Sequence, residues 1–403
     1  MKRFISPVVI AALLTSCGSD ENKQKEEKPS ELQLMESPVD SISAEPYLFT
    51  DKNGVVYLSW VIKNAKESTL KFSMLKNGNW SEPTVIASGN NWFVNWADYP
   101  IIASDGNQNI ISHYLEKSEK GTYTYDVKVT TSSDNGNSWS PALMLHDDGK
   151  KAEHGFVSIV PYNENYFISW LDGRNAPMEA GDGHHEGHQG QMTLRGAIVD
   201  KVGKKSGEWE LDNRVCDCCQ TSTAITTNGP VVVYRDRTEN EIRDISIVRL
   251  VNGQWTQPAV IFPDNWKIQG CPVNGPQVAA DGNNLAVAWF TSPEKKSQVN
   301  VAFSRDGGAS FSKPARLDEG KALGRVDIVL LDSNTAMVSW LEGSLIKAAR
   351  VHNNGTKDSS MTVASTSEAR SSGFPQMTKS GTNLFFAWTD DKEKTIKVAR
   401  LPL

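Results

Sequence analysis

The sequence has no arginine between Arg3 and Arg174. Guanidinium groups hold carboxylates through paired hydrogen bonds that lysine cannot reproduce, so the first part of the chain offers no such clamp for an anionic ligand. No apolar run after residue 14 is long enough to span a bilayer. The formal net charge is −6, with no basic stripe, and we therefore do not expect nucleic acid as a partner.

The N-terminus has the pattern of a targeting segment. Lys2 and Arg3 precede an apolar stretch at residues 4–14 that is too short for a transmembrane helix. This stretch ends in Leu-Thr-Ser-Cys, which resembles a bacterial lipobox with Cys17 as the lipidated residue. We expect a signal peptide at 1–16 and an outer-membrane lipoprotein, periplasmic or surface-exposed, with the membrane as a partner through its anchor. An ordinary secretory signal is the alternative.

Residues 17–43 are rich in Glu, Lys, Ser and Pro and poor in aromatic residues. Such a segment cannot bury enough apolar surface to fold, so we interpret it as a flexible tether behind the lipidated cysteine. The remaining chain, residues 44–403, is long enough for one large all-β domain.

Short apolar strands that often end in an aromatic residue recur about every fifty residues, separated by Gly, Asn and Asp turns. Seven such strands are present, at residues 56–60, 110–114, 167–170, 231–234, 285–289, 336–340 and 384–388. The spacing predicts a β-propeller of seven blades, or six if two units merge. The last unit stops after three strands, so we expect an N-terminal strand at about 31–42 to close the ring.

Two turns carry a more specific pattern. Residues 132–139 read Ser-Ser-Asp-Asn-Gly-Asn-Ser-Trp and residues 304–311 read Ser-Arg-Asp-Gly-Gly-Ala-Ser-Phe. Both resemble the Asp-box, or BNR repeat, of the sialidase superfamily, and this resemblance implies a sialidase-like propeller. It also implies that the turn residues are structural: Ser132, Asp134, Gly136, Trp139, Ser304, Asp306, Gly308 and Phe311.

The chain departs from that superfamily where its activity would begin. The Arg-Ile-Pro motif expected in the first blade is replaced by Glu45-Pro46-Tyr47, so no catalytic residue is transferred and enzymatic activity stays an open question. Glycosidases use two carboxyl groups about 5 Å apart, or a tyrosine nucleophile in the sialidase variant. The candidates of these types at the predicted channel mouth are Asp98, Asp172, Tyr234 and Asp236.

Four cysteines remain after Cys17, and all lie in loops that lead into the inner strands of two adjacent blades: Cys216, Cys218, Cys219 and Cys271. An exported compartment is oxidising, so two disulfides are the first expectation. The alternatives are metal ligation and a redox-active Cys-x-x-Cys. The run Cys-Asp-Cys-Cys-Gln-Thr, with Tyr-Arg-Asp-Arg downstream, resembles a sialidase-like subgroup of bacterial exported proteins.

A Gly-rich insert around residues 179–188 contains His184, His185 and His188. With the cysteines and His154, these imidazoles would form a donor set suited to copper or zinc. The alternative is a solvated polar loop, with His154 as an ordinary packed residue.

Arginines converge on the same predicted mouth: Arg174, Arg235, Arg237, Arg243 and Arg325. They are candidates for holding a carboxylate or an anionic glycan, unless they pair with neighbouring aspartates to hold loops together. We therefore predict an exported, membrane-anchored propeller that binds a metal ion, an anionic small molecule or a glycan at this mouth. A sialidase-like hydrolase with a rearranged site and an envelope-complex scaffold with a protein partner are the alternatives.

Overall fold

The chain folds as a seven-bladed β-propeller. The structure, a computed structural model, describes Met1 and residues 31–39, 41–176 and 191–403. Seven separate antiparallel sheets are present in these residues, which confirms the all-β prediction and excludes the six-bladed alternative. Only two short 3-10 helices occur in the described part of the chain, at Pro293–Lys295 and Arg370–Ser372. No helix among the described residues is long and apolar enough to cross a bilayer.

The strands run from the channel outwards in each blade. The first four blades contain β2 (Ala44–Thr50), β3 (Val56–Lys63), β4 (Ser68–Lys76), β5 (Asn79–Trp80) and β6 (Thr84–Gly89); β7 (Ile102–Ser104), β8 (Ile110–Lys117), β9 (Tyr125–Ser132) and β10 (Leu143–Met144); β11 (His154–Tyr162), β12 (Asn165–Asp172), β13 (Met192–Val199) and β14 (Lys205–Val215); and β15 (Ser222–Thr226), β16 (Gly229–Arg235), β17 (Ile245–Val251), β18 (Gln254–Trp255) and β19 (Ala259–Val260). The last three contain β20 (Gln277–Asp281), β21 (Asn284–Thr291), β22 (Gln298–Ser304) and β23 (Ala315–Arg316); β24 (Ala322–Asp332), β25 (Thr335–Glu342), β26 (Leu345–His352) and β27 (Met361–Ser365); and β28 (Gln376–Ser380), β29 (Asn383–Asp390), β30 (Thr395–Pro402) and β1 (Gln33–Met35).

The ring is closed by the N-terminal strand, as predicted. Gln33 lies opposite Arg400 and Met35 lies opposite Val398, so β1 is the fourth strand of blade 7. The strand is shorter than the predicted 31–42. Pro38 follows closely and has no N–H to donate to a ladder, which accounts for the early end of pairing.

The second strand of several blades carries a large buried tryptophan that packs between neighbouring sheets. Trp60, Trp170, Trp289 and Trp340 are at most 1% exposed, and each side chain of this kind buries about 150–250 Å². The indole N–H groups of Trp170 and Trp340 donate to the carboxylates of Asp172 and Glu342 two residues later. Aspartate at the end of this strand therefore has a packing function in blade 3.

The two Asp-containing turns share one hydrogen-bond pattern at the end opposite the inner-strand starts. Asp134 Oδ1 accepts hydrogen bonds from the Ser132 hydroxyl at 2.7 Å and the Ser138 amide at 2.9 Å. Asp306 accepts the equivalent bonds from Ser304 and Ser310. These side chains satisfy the amides of their own turns, which is a structural task.

Candidate metal centre at the channel mouth

The loops that carry the predicted site residues lie on one face of the propeller. Inner and second strands are antiparallel, so the start of the first lies beside the end of the second, as in the pair His154 and Asp172. The loops leading into the inner strands and the links between second and third strands therefore share this face, which we call the mouth. Beneath it the channel contains a cavity of about 210 Å³, and each blade contributes lining side chains, among them Tyr47, Tyr99, Ser158, Ser222, Gln277, Asp327 and Gln376.

Three cysteine thiols, those of Cys216, Cys218 and Cys219, meet at the mouth between blades 4 and 5. Sγ of Cys216 lies 3.7 Å from that of Cys219 and 4.0 Å from that of Cys218, and all three sulfurs lie within 4.8 Å of one another. Cys271, from the loop before blade 5, lies close enough to Cys218 to contribute to the raised pKa of that thiol. None of these four is bonded in a disulfide in this structure, so the disulfide prediction stays without structural support.

The sulfur spacing fits a single ion. Zinc–sulfur bonds of about 2.3 Å in a tetrahedral site separate neighbouring sulfurs by about 3.8 Å. The distances of 3.7 and 4.0 Å between Cys216 and its two neighbours bracket that value. We call the cluster of Cys216, Cys218 and Cys219 the cysteine site. Its sulfur spacing would let one thiophilic ion bind with little movement of the chain.

The thiols differ in their readiness to ionise. Burial raises the pKa of Cys216 to about 11, and burial together with the neighbouring thiols raises the pKa of Cys218. Burial opposes ionisation of Cys219 as well, yet hydrogen bonds from Cys216 and Cys218 and the charge of Arg235 hold its pKa well below the ordinary value. One thiolate is thus favoured before any ion binds, and thiolates are the form that binds metals.

Positive groups and N–H donors surround the sulfurs. Nη1 of Arg243 donates to Sγ of Cys216 at 3.2 Å, and the amide of Asn274 donates to Sγ of Cys219 at 3.4 Å. Arg235 is 1% exposed, and its guanidinium donates to the backbone carbonyls of Asn274, Arg243 and Phe290. Such outer groups stabilise the negative charge of a thiolate site and orient its ligands.

Arg235 has an unusual electrostatic position. It stacks over the ring of Trp266 at 4.9 Å, and no carboxylate of the described residues lies within 4 Å of it. Asp264 acts on it only at longer range. A buried cation without a close carboxylate needs a countercharge, and the sulfur cluster beside it supplies one.

A carboxyl–phenol–carboxyl chain connects the surroundings of the cysteine site with the channel. The Tyr125 hydroxyl lies 2.8 Å from Oε1 of Glu153 and 3.2 Å from Oδ2 of Asp98. Burial raises the pKa of Asp98 to about 7, and burial also raises that of Glu153, to which the charge of Cys271 adds. Asp98 was a sequence candidate, whereas Tyr125 was missed because its position at a strand start carries no local signal.

His154 lies in a different polar cluster. Its Nε2 is 2.9 Å from Oδ2 of Asp148, and its ring stacks on His146 with centroids 3.6 Å apart. Asp172 accepts two hydrogen bonds from the Arg174 guanidinium, at 2.7 and 2.8 Å, besides the indole bond described above. Although burial opposes it, Arg174 holds the pKa of Asp172 below its ordinary value. His154 and Arg174 both contact the carboxylates of Asp148 and Asp172. This cluster is therefore separate from the cysteines.

The remaining candidates in blade 4 are held by neighbouring side chains. Arg237 donates to both carboxylate oxygens of Glu241, with a shortest distance of 2.8 Å. The hydroxyl of Tyr234 donates to Asp212, and burial raises the pKa of Tyr234. Asp236 accepts the Arg237 amide, and burial raises its pKa to about 6. Arg237 and Glu241 thus form an ion pair, whereas Tyr234 and Asp236 are held by hydrogen bonds.

Arg325 is a structural cation. Its guanidinium donates to the carbonyls of Ala369 and Gly373 and to the hydroxyl of Ser372, and it lies 4.9 Å from the ring centre of Trp96. It is 6% exposed, and burial lowers its pKa to about 10. The side chain joins blades 6 and 7 and leaves little of its guanidinium for a ligand.

Four further candidate residues lie outside the described residues. These are the three histidines of the insert, His184, His185 and His188, and the lipidation candidate Cys17. Within the described residues, the structure brings together Cys216, Cys218, Cys219, Cys271, Arg235 and Arg243.

The fold resembles that of carbohydrate-active propellers. The polysaccharide lyase Uly1 aligns with a TM-score of 0.53 at 9% identity over 94% of each chain. A second lyase, described as a new family of polysaccharide lyase (ulvan lyase), aligns with a TM-score of 0.50 at 14% identity over 78% of this chain and 80% of its own. A neuraminidase-like protein of A/little yellow-shouldered bat/Guatemala aligns at 0.47 with 12% identity over 93% and 98%. No protein-family model and no curated protein sequence matches the chain. At such identities the likeness concerns the propeller fold alone.

Proposed function

We propose that this protein is an exported propeller, tethered through Cys17, that binds one thiophilic transition-metal ion at the cysteine site. Copper(I) and zinc(II) are the ions that such a sulfur-rich set favours. The observation that carries the proposal is the convergence of the Cys216, Cys218 and Cys219 sulfurs within 4.8 Å of one another.

The surroundings support the same conclusion. Three thiolates around a divalent ion carry a net negative charge, and around copper(I) a larger one. Arg243 and Arg235 place two buried guanidinium groups beside the sulfurs, and the Asn274 amide adds a neutral donor. Disulfides would remove the negative charge of the sulfurs and leave Arg235 without a nearby anion, whereas Arg243 would keep its ion pair with Glu241.

The direct test is metal content of untagged protein that has been purified under reducing conditions. We expect close to one equivalent of copper or zinc by elemental analysis, and loss of that metal in the Cys219→Ser and Cys216→Ser variants. Competition with bathocuproine disulfonate for copper(I) and with pyridylazoresorcinol for zinc identifies the preferred ion. His352→Ala, which removes a partly exposed imidazole in blade 6, is the matched control and should retain full metal content.

The result against the proposal is equally clear. Protein that contains no metal, binds neither ion more tightly than the competitor and shows no free thiols would have disulfides in place of a metal centre.

Glycan binding in the channel is the second candidate. The observation that favours it is the cavity of about 210 Å³ lined by phenols, amides, hydroxyls and the carboxyl groups of Asp98 and Asp327. No arginine of the described residues lines this cavity, so we expect neutral sugars to bind there in preference to sialosides. Oligosaccharide binding that is lost in Asp327→Asn supports this candidate, whereas turnover of a fluorogenic sialoside would contradict the preference.

A further inference from the structure

A second pocket opens on the mouth between blades 1 and 7, away from the cysteines. It has a volume of about 230 Å³, below the 300–1,000 Å³ of pockets that hold drug-sized ligands. Its inner wall includes Ser43, Glu45 and Thr389, and its rim includes Lys63, Lys394 and Asp391. A molecule the size of a single amino acid suits this volume.

Three polar atoms on the inner wall are buried and unpaired. Oγ of Ser43, Oε2 of Glu45 and Oγ1 of Thr389 have no hydrogen-bond partner among the described residues. Their side chains belong to residues that are 4%, 8% and 3% exposed. Buried polar groups in native proteins are nearly always hydrogen-bonded, so three such atoms around one cavity indicate a missing partner.

The backbone holds Glu45 in place at some expense. Glu45 has a φ of 59°, in the left-handed region, at a β-bulge in the inner strand of blade 1. Phe156 and Arg325 have the same left-handed φ at the equivalent bulges of blades 3 and 6, so this conformation is a repeated feature of the inner strands that fixes the position of Glu45. Burial raises the pKa of Glu45 to about 8, and Lys63 at the rim opposes that shift without forming an ion pair with it.

The geometry points to a small ligand with a primary ammonium group and a carboxylate, in the chemical class of free amino acids. The three unpaired oxygen atoms of Ser43, Glu45 and Thr389 match the three N–H donors of an ammonium group. The ammonium group would also supply the countercharge that the Glu45 carboxylate lacks. Lys63 and Lys394 at the exposed rim would meet the ligand carboxylate.

Two other occupants are distinguishable. A sugar would use the same oxygens through its hydroxyls but would not need the charge of Glu45. Lys63 itself would fill the role of the cation if its ammonium turned inward, in which case no ligand would enter. Both are outcomes of the same experiment.

The experiment is isothermal titration of the full chain with L-alanine, N-acetyl-L-alanine, ethylamine and glucose. We expect binding of L-alanine, weaker binding of ethylamine, and none of the other two. A hydrogen bond to a charged group corresponds to about tenfold or more in Kd. Glu45→Gln should therefore weaken L-alanine binding about tenfold or more, and Lys394→Gln should weaken L-alanine but not ethylamine.

Thr389→Val serves as the second variant, because it removes one acceptor while keeping the side-chain shape and the fold. It should weaken L-alanine while the thermal midpoint of unfolding stays near that of the unchanged protein. Equal binding of N-acetyl-L-alanine, preferential binding of glucose, or no binding of any amine at millimolar concentration would each overturn the inference. Ligand binding that appears only in Lys63→Ala would identify Lys63 as the native occupant and overturn it as well.

Discussion

Replacement of Cys219 by serine tests the electrostatic coupling at the cysteine site without any metal. Arg235 is buried with no carboxylate of the described residues within 4 Å, and its charge adds to the hydrogen bonds from Cys216 and Cys218 that lower the pKa of Cys219. Serine cannot ionise at this pKa range, so the variant leaves the guanidinium uncompensated. Breaking a contacting buried pair from one side costs about 3–5 kcal/mol. Because Arg235 keeps its carbonyl acceptors and acts on Cys219 only through its charge, we expect a smaller loss of about 2–3 kcal/mol in the free energy of unfolding.

The assay is urea unfolding of protein held with a chelator and a reductant, with linear extrapolation to water. Cys218→Ser is the matched control. Its thiol has a raised pKa and stays protonated, so its replacement should cost about 1 kcal/mol or less. In the double variant with Arg235→Met, the penalty of Cys219→Ser should largely disappear. Equal destabilisation by Cys218→Ser and Cys219→Ser would refute the charge coupling.

Three further results are expected. Gly136→Ala should destabilise the fold by about 2 kcal/mol or more, because φ is +82° and a Cβ would lie 2.2 Å from the Phe72 ring, whereas Gly78→Ala, at φ +83° with nothing within 4 Å, should cost only about 1 kcal/mol in urea unfolding. Burial lowers the pKa of His113 to about 3, so stability is full above pH 6.5 and falls as the pH drops towards 3, a loss that His113→Gln should reduce in acid-unfolding curves. Burial raises the pKa of Asp327 to about 7, so its contribution is full below pH 3.8 and is lost as the pH rises through 7, and Asp327→Asn should flatten that decline. A pH profile unchanged by either substitution would contradict the assigned burial effects.

The propeller was predictable because its information is local and repeated. Each second strand is a short apolar run, such as residues 336–340, whose alternation and turn residues identify a strand without knowledge of its neighbours. Seven repeats then specify the ring. The closing strand was also predictable, but its length was not. Pairing ends shortly before Pro38, and the repeat pattern alone did not reveal that limit.

The cysteine site was partly predictable. Loop position placed Cys216 and Cys271 near one another, since the loops before adjacent inner strands share a face. The sequence did not distinguish disulfides from a metal centre, because that choice depends on sulfur distances and on buried charges. Arg235 is an example. The sequence predicted that it binds an anionic ligand, and its position as a buried cation beside the sulfurs follows only from tertiary contacts.

The Glu45 pocket could not be predicted. In the sequence, Glu45 stands out only because it occupies the stretch where the sialidase resemblance calls for arginine. Its significance depends on burial, on the left-handed φ and on the unpaired oxygen atoms of Ser43 and Thr389, which are separated by more than three hundred positions. Such long-range juxtaposition leaves no periodic trace in one sequence.

The two proposed sites at the mouth have the same charge preference. Arg174, Arg237 and Arg325 direct their guanidinium groups towards protein carboxylates or carbonyls, so they do not form the clamp that a carboxylate-bearing sugar requires. The groups that remain short of a partner become anionic when they ionise: the sulfurs beside Arg235 and the carboxyl of Glu45. If both proposals hold, the mouth selects cations, a metal ion at one position and an ammonium group at another, whereas the arginines in the sequence led us to expect an anionic ligand.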